Sequence, residues 1–243
     1  MTLLADLLRG FAQLVYPNLC WACHTVIGPA GGLFCGDCLP KLIKDPFPTC
    51  PRCSSSVGPH VVLTKGCGQC AGQPFAFDGA FRMGPYDGVL REVILRMKAW
   101  AGEDLAEALA TTWADTMSDR LKPLAADFII PIPLYWTRRW RRGFNQSDIL
   151  AQALAKSLGI PALPRALRRL RATAPQTAQS GATGRKENVH NAFAATNCPD
   201  LAGKTVLLID DVLTTGATAN EAARALKKFK PRAIYAVVVA HGK

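Results

Sequence analysis

No apolar run in these 243 residues approaches the roughly 20 that a membrane-spanning helix needs, so insertion into a bilayer is not expected. No low-complexity tract interrupts the chain. Hydrophobic residues make up 49% and charged residues 19%, a balance that supports a buried core. The opening residues, MTLLADLLRGFAQLVYP, lack the features of an export leader: Asp6 and Arg9 break the apolar stretch and no cleavage site follows. That points to a cytoplasmic protein. Leu4, Leu7, Leu8, Phe11, Leu14 and Val15 fall on one helical face instead, as in a helix docked on the body of the molecule. Acidic side chains are scarce in one place. Residues 132–190 hold eleven basic and two acidic residues, the main source of the formal net charge of +11. An excess confined to one segment implies an anionic partner there.

Cysteine is abundant early and nearly absent later. Eight of nine form four Cys-x-x-Cys pairs, Cys20/Cys23, Cys35/Cys38, Cys50/Cys53 and Cys67/Cys70, and only Cys198 lies beyond them. Cytosolic thiols stay reduced, so paired knuckles read as tetrahedral zinc sites rather than disulfides. A thioredoxin-like redox site fits poorly, since four pairs are too many and no βαβ pattern surrounds them. Two sequential four-cysteine sites are favoured; a cross-braced arrangement, first pair with third, stays open. Four thiolates leave no position for water or substrate, so two zinc ions would be structural. They would staple residues 1–73, an N-terminal helix and double zinc ribbon with few large apolar residues.

The most informative stretch is 205–221, TVLLIDDVLTTGATANE. Its apolar run, residues 206–209, predicts a buried parallel strand. Asp210 and Asp211 follow at once, then Val212, Leu213, Thr214, Thr215, Gly216, Ala217 and Thr218. Glu221, Ala222, Ala223, Ala225 and Leu226 predict a helix to about Lys228. Strand, turn and helix put the loop where open α/β sheets bind ligands. Backbone N–H groups at the helix N-terminus suit a phosphate. The carboxylates would repel it, and suit instead a sugar diol or Mg2+. A ribose 5-phosphate satisfies both halves.

Elsewhere the pattern alternates. Strands are expected at 75–83, 128–130, 204–209 and 234–240, and helices at 86–100, 103–121 and 146–158, which argues for a mainly parallel sheet over residues 74–243. Pro131-Ile132-Pro133 ends the second of these strands. Four arginines, Arg138, Arg139, Arg141 and Arg142, interleave with Trp140 and Phe144, a composition suited to phosphates and to stacking on bases. A basic helix entry with its aromatics packed down is the competing account for Arg138 and Arg139; Arg142 is expected to touch ligand. Residues 172–191 lack hydrophobic periodicity, as in a mobile lid over a site.

The 205–221 string resembles the 5-phosphoribosyl 1-pyrophosphate (PRPP) signature of type I phosphoribosyltransferases. Nearly the whole chain resembles the ComF family: Tyr16-Pro17, the paired knuckles, Lys98 after its helix, Pro131-Ile132-Pro133, Arg142-Gly143-Phe144-Asn145-Gln146, then Arg169, Arg171, Thr173, Gln176, Arg185, Asn188-Val189 and Ala192-Phe193. One departure is Gln179, where relatives usually carry leucine. The resemblance implies a type I phosphoribosyltransferase fold behind a zinc-ribbon module. It also implies PRPP with Mg2+ as ligand, a role with incoming single-stranded DNA in natural transformation, and other DNA-uptake or helicase proteins as partners. In that fold Pro131 and Ile132 belong to a pyrophosphate loop; Lys98, Arg142 and Arg185 are candidates for the same group. Asp210 and Asp211 would be the catalytic pair, and Arg138, Arg139, Arg141 and Trp140 the nucleic-acid contacts. The alternative is a phosphoribosyltransferase of nucleotide or small-molecule metabolism with no DNA role. A glutamine-dependent amidotransferase would need a separate glutaminase and an N-terminal catalytic cysteine, which this sequence lacks.

Overall fold

A computed structural model of the chain describes residues 17–28, 32–61, 63, 66–172 and 191–242. The expected N-terminal helix and nearly all of the expected lid, Arg185 included, lie outside the described residues.

Six strands are present among the described residues: β1 (Gly79–Pro85), β2 (Phe128–Pro131), β3 (Leu167–Arg169), β4 (Phe193–Ala195), β5 (Thr205–Leu213) and β6 (Ala233–His241). Four make one parallel sheet in the order β1-β6-β5-β2. Val206, Leu207, Leu208 and Ile209 of β5 and Val237, Val238 and Val239 of β6 are fully buried, as central parallel strands are when helices cover both faces. One face carries α2 (Gly88–Met97), α3 (Glu103–Leu121) and α5 (Gln146–Leu158). The other carries α6 (Ala217–Lys227) and the antiparallel β3–β4 pair. α3 presents Leu105, Leu109, Trp113 and Met117 as one buried stripe, and the Trp113 indole N–H donates to the Val238 carbonyl at 3.1 Å, fixing the helix across β6. Among the described residues no helix is long and apolar enough to cross a membrane.

The helix expected over 86–100 is shorter, Gly88–Met97, and two strand boundaries differ because a neighbour supplies what the local pattern does not. β5 does not stop with its apolar run at Ile209; it continues through Asp210 and Asp211 to Leu213, since β6 is long enough to keep pairing, Asp210 against Val238 and Leu213 against His241. β1 begins only at Gly79. Upstream, Phe75 and Phe77 stack on each other at 4.5 Å, and the Asp78 carboxylate accepts from the Ile234 N–H at 2.8 Å. The short β3–β4 pair lies in the basic stretch and beyond, where no periodicity signalled a strand.

The cysteine region is two copies of one device, joined through α1 (Cys38–Ile43). In each, the residue after the second cysteine takes a left-handed backbone, His24 (φ 61°) and Ser54 (φ 63°). Its N–H returns to the first cysteine's carbonyl, at 2.8 Å in one copy and 2.7 Å in the other. Leu19 bridges Val26 and Thr49 bridges Ser56, so each knuckle is a tight antiparallel turn. Gly66 is required in the second copy: its φ is +95°, and a Cβ there would meet the Cys70 sulfur at 2.6 Å.

The copies are docked differently. Cys20, Phe34, Cys38 and Leu42 join the main core beside α2. Cys50, Cys53, Val57, Cys67 and Cys70 form a small cluster of their own. That second copy is pinned by Arg82 of β1, which is 1% exposed and gives two bonds to the Asp45 carboxylate, 2.7 and 3.0 Å, and one to the Ser56 hydroxyl, 2.7 Å. Asp45 matches the buried guanidinium's charge.

Candidate functional site

The end of β5 opens into a cleft of about 1450 Å3. Asp211 is 6% exposed and heavily bonded. Its carboxylate takes the Lys98 ammonium at 2.9 Å, the Gln146 amide at 3.2 Å and the Val212 N–H at 2.8 Å. The Asp210 carboxylate accepts from the Ser147 hydroxyl at 3.3 Å and from the Asp211 N–H at 2.9 Å. Lys98 is there because it caps the C-terminus of α2; Gln146 and Ser147 are there because α5 starts beside the sheet. Arg142 in turn donates to Gln146, so a chain of contacts runs from the basic helix to the acidic pair.

Burial, and then the charge on Asp211, push Asp210 up to about 7. Burial also works against Asp211, yet Lys98, the Val212 N–H and Arg142 outweigh it and hold that carboxyl below its usual range. One carboxylate is therefore firmly ionised and the other titrates near neutrality, which makes the pair a tunable site for a cation or a diol.

The same cleft is lined by Arg138, Arg141 and Arg142 from α4 (Trp136–Arg142), with Arg169 from β3. Burial lowers Arg138, Arg142 and Arg169, and the mutual repulsion of the arginines adds to it; a polyanion entering the cleft would relieve both. Ile132, Pro133, Leu134, Thr214 and Thr218 line it too. Gly216 precedes α6 with φ +75°, and a Cβ on it would meet the Phe75 ring at 3.1 Å, so the loop packs closely on the 75–77 segment.

Of the residues singled out from sequence, Asp210, Asp211, Val212, Thr214, Thr218, Lys98, Ile132, Arg138, Arg141 and Arg142 line this one cleft. Pro131, Leu213, Thr215, Gly216 and Ala217 belong to its frame and do not line it. Arg139 turns away to Asp148 at 3.7 Å. Trp140 is 86% exposed, but Phe144 is only 7% exposed and packs in the main core. The expectation that both aromatics stack on bases is corrected for Phe144: it faces the sheet, and Trp140 faces outward. Sequence reasoning missed roles for Gln146 and Ser147, and missed that Ser55, Val57, Gly58 and Gln69 of the second cysteine copy line the same cleft. One signal was available for the module's docking: Arg82 is a charge between Phe81 and Met83 in an apolar strand.

The sulfurs settle the pairing of knuckles. Cys20, Cys23, Cys35 and Cys38 form one group and Cys50, Cys53, Cys67 and Cys70 the other, each within 4.8 Å, so the cross-braced alternative falls. Four sulfurs bonded at ~2.3 Å to a tetrahedral ion sit ~3.8 Å apart. The pairs Cys23–Cys35 and Cys50–Cys70 are at 3.7 Å, Cys53–Cys67 at 3.5 Å and Cys67–Cys70 at 3.8 Å. A disulfide would need ~2.05 Å. The Thr25 hydroxyl holds the Cys23 thiol down to about 6, favouring the thiolate a metal takes. Both quartets fit a four-thiolate ion, enclosed in the second copy and shallow in the first.

Parallel sheet, acidic pair at a strand's end and hydroxyl-rich loop at a helix N-terminus are the architecture of the type I phosphoribosyltransferase fold. The phosphoribosyl transferase domain family matches residues 141–243, which carry β5 and β6, the acidic pair and the hydroxyl-rich loop. Three relatives match most of the chain. Competence protein F of Haemophilus influenzae is 35% identical over 214 residues, 86% of this chain and 90% of that protein. DNA utilization protein YhgH of Salmonella typhi is 34% identical over 217 residues, 88% and 92% of the two. Competence protein ComFC of Bacillus subtilis is 27% identical over 198 residues, 79% and 77%. This chain belongs to the ComF family.

Proposed function

We propose that this protein binds PRPP with Mg2+ in the cleft and handles single-stranded DNA inside the cell, with two structural zinc ions in its cysteine quartets. The observation that carries the reading is the Asp210–Asp211 pair at the end of β5, flanked by the Thr214–Thr218 loop and faced by the arginines of α4. The loop, with the N–H groups at the start of α6, would hold the 5-phosphate. The two carboxylates would take the ribose hydroxyls, directly or through the metal. Lys98, Arg142 and Arg185, with the Pro131-Ile132 loop, would take pyrophosphate. If turnover occurs, the anomeric C–O bond breaks, pyrophosphate leaves with the electron pair, and an acceptor's lone pair forms the new bond. Positioning, and neutralisation of leaving-group charge, would supply the acceleration. The boundary between ribbon module and transferase-like domain falls near residue 73, just before the Phe75–Phe77 stack.

The names of the relatives, competence and DNA utilization, support the DNA role. One observation favours the alternative, a small-molecule enzyme without DNA: Arg138, Arg141 and Arg142 line the cleft that holds the acidic pair. Calorimetric titration of PRPP with and without Mg2+, into the native protein and the Asp210→Asn/Asp211→Asn variant, tests the central claim. Most of the affinity should vanish in the variant while its far-UV circular dichroism shows the fold retained. Equal affinity in both would sink the reading. Pyrophosphate release measured with and without DNA then separates the two functions.

A further inference from the structure

The two quartets differ in how far a reagent can reach them. In the first, Cys23 is exposed and Cys35 half-buried; in the second, all four cysteines are buried. Oxidation of a thiolate follows its accessibility. The two accessible sulfurs are also neighbours. Cys23 and Cys35 sit 3.7 Å apart, and a disulfide holds its sulfurs at ~2.05 Å, so a shift of less than ~2 Å joins them. The loops that carry them are already tied together: the Trp21 N–H donates to the Leu33 carbonyl at 3.1 Å, and the Cys35 N–H to the Cys20 sulfur at 3.3 Å. In the second quartet Cys53 and Cys67 are closer still, 3.5 Å, but both are buried. Access, not spacing, separates the two sites.

The first quartet is also connected to the acidic pair, through the end of α2. Ala22 lies inside the first Cys-x-x-Cys turn, and its carbonyl accepts from the Arg96 guanidinium at 2.8 Å. Another nitrogen of that guanidinium meets the Nε2 of His24, the residue after Cys23, at 2.9 Å. Arg96 belongs to the last turn of α2, and Lys98 caps it. The Lys98 and Ala99 N–H groups return to the Leu95 and Arg96 carbonyls at 3.2 and 3.1 Å, so Lys98 moves with the helix end. Its ammonium holds Asp211 at 2.9 Å. Cys20, Cys38 and Leu42 pack in one core with Val93, Ile94 and Met97 of α2. The short stretch from Arg96 to Lys98 is thus clamped by the knuckle on one side and by the carboxylate on the other.

We propose that the first quartet is a redox-sensitive metal site: hydrogen peroxide joins Cys23 to Cys35, the ion is released, and the end of α2 that carries Lys98 loosens. The Cys23 thiolate attacks a peroxide oxygen, the O–O bond breaks and hydroxide leaves. The Cys35 thiolate then attacks the sulfur of the sulfenic acid so formed, and a second hydroxide leaves. Two thiolates have lost two electrons, and the peroxide has become two waters with two protons from solvent. Cys20 and Cys38 remain as two ligands, too few for a tetrahedral ion, and each takes a proton. A thiol reductant and zinc reverse the change. Only the effect on PRPP rests on the reading proposed above.

The test uses the full-length, zinc-loaded protein. Hydrogen peroxide is added, ion release is followed with a chromogenic chelator, and disulfides and amide exchange are mapped by mass spectrometry. One ion per chain should leave roughly tenfold faster than the other, and the disulfide recovered should join Cys23 to Cys35. Amide exchange over residues 96–102 should speed up roughly fivefold. Cys23→His keeps a group that zinc accepts and removes the exposed thiol, so its ion should resist peroxide. Cys198→Ser, at the one thiol outside the quartets, should release its ion at the native rate. The disulfide map of the native protein decides the site even if Cys23→His loads poorly. Equal loss of both ions, faster loss from the second quartet, or a disulfide between other cysteines would each overturn the oxidation site. Unchanged exchange over 96–102 after release would overturn the link to Lys98. PRPP affinity should fall severalfold on oxidation and recover with reductant and zinc. PRPP that binds neither form would overturn the sugar-phosphate reading and leave the oxidation site standing.

Discussion

The two cysteine knuckles are built alike and used differently. Both return an N–H to the first cysteine's carbonyl, both place a left-handed residue after the second cysteine, and both draw four sulfurs together. The first is shallow, with Cys23 exposed and Cys35 half-buried, and its neighbours Phe34 and Leu42 sink into the main core. The second buries all four cysteines in a small cluster and turns Ser55 and Gln69 toward the cleft. A repeated device thus anchors the body in one copy and shapes a site in the other. Backbone and metal chemistry explain the repetition; what each copy touches explains the divergence.

The hardest blow to that contrast is removal of either quartet. Cys20→Ser with Cys23→Ser, and separately Cys50→Ser with Cys53→Ser, should each take zinc from two ions per chain to one, read by native mass spectrometry. Structural zinc contributes roughly 10–16 kcal/mol to small modules of this kind, so each module should unfold. The first pair should lower the melting temperature more, because it strips a side of the main core. The second should lower ligand affinity more. Equal effects on both readouts would erase the distinction.

Docking comes next. Arg82→Ala leaves Asp45 unpaired beneath the second module and should cost about 3–5 kcal/mol in denaturant unfolding. The counterpart in the first module is Arg96, which donates to the Ala22 carbonyl at 2.8 Å and contacts His24 at 2.9 Å. Arg96→Ala should cost less, about 1–3 kcal/mol. A reversed order would mean the first module is the more dependent on its arginine.

Acidity separates the module side of the cleft from the strand side. Asp210 is raised in the folded state, so its contribution to stability is full below its ordinary value and is lost as pH rises through about 7. The same deprotonation supplies the charge that a Mg2+-bound ligand wants. PRPP affinity should therefore rise roughly tenfold between pH 6 and pH 8, and Asp210→Asn should flatten the profile. His241 is depressed, so its contribution is full above about 6.5 and is lost as pH falls through about 4. A flat PRPP profile in the native protein would refute the assignment of Asp210.

The smallest effects belong to the outer surface of α4. Trp140→Ala should weaken single-stranded oligonucleotides by ~1–3 kcal/mol per stacked base without moving the melting temperature. Arg139→Ala should reduce the slope of binding against salt by about one. Filter binding across a salt series reads both. Phe144→Ala, by contrast, should act on stability and not on salt dependence, as its burial dictates.

Where local pattern and tertiary contact agree, the chain is legible. α3 and α5 occur at the expected residues because each carries a complete apolar stripe and an ordinary end, Gly159 closing α5 in the left-handed conformation. The acidic pair and the eight knuckle cysteines are legible because spacing itself is the chemistry. Sequential pairing of the knuckles is not, since either arrangement satisfies the same spacing. Phe144 and Trp140 sit four residues apart in one basic stretch, and only the turn at Gly143 sends them to opposite environments. Ser55, Gln69 and His241 form one hydrogen-bonded group from three distant segments, and no local pattern announces such a group.

The bond between Ser55 and His241 spans 186 residues. The cysteine quartets close over short stretches and can fill with metal soon after they emerge from the ribosome. β1 cannot join the sheet until β6 arrives, because β6 is its only strand partner among the described residues. At about 5–20 residues per second that interval is on the order of seven to thirty seconds. A chain whose quartets fill early would hold a finished metal module next to an unformed cleft for most of its synthesis. Metal supply and cleft formation are separate events in time, and a shortage of one leaves a different half-built product from a delay in the other.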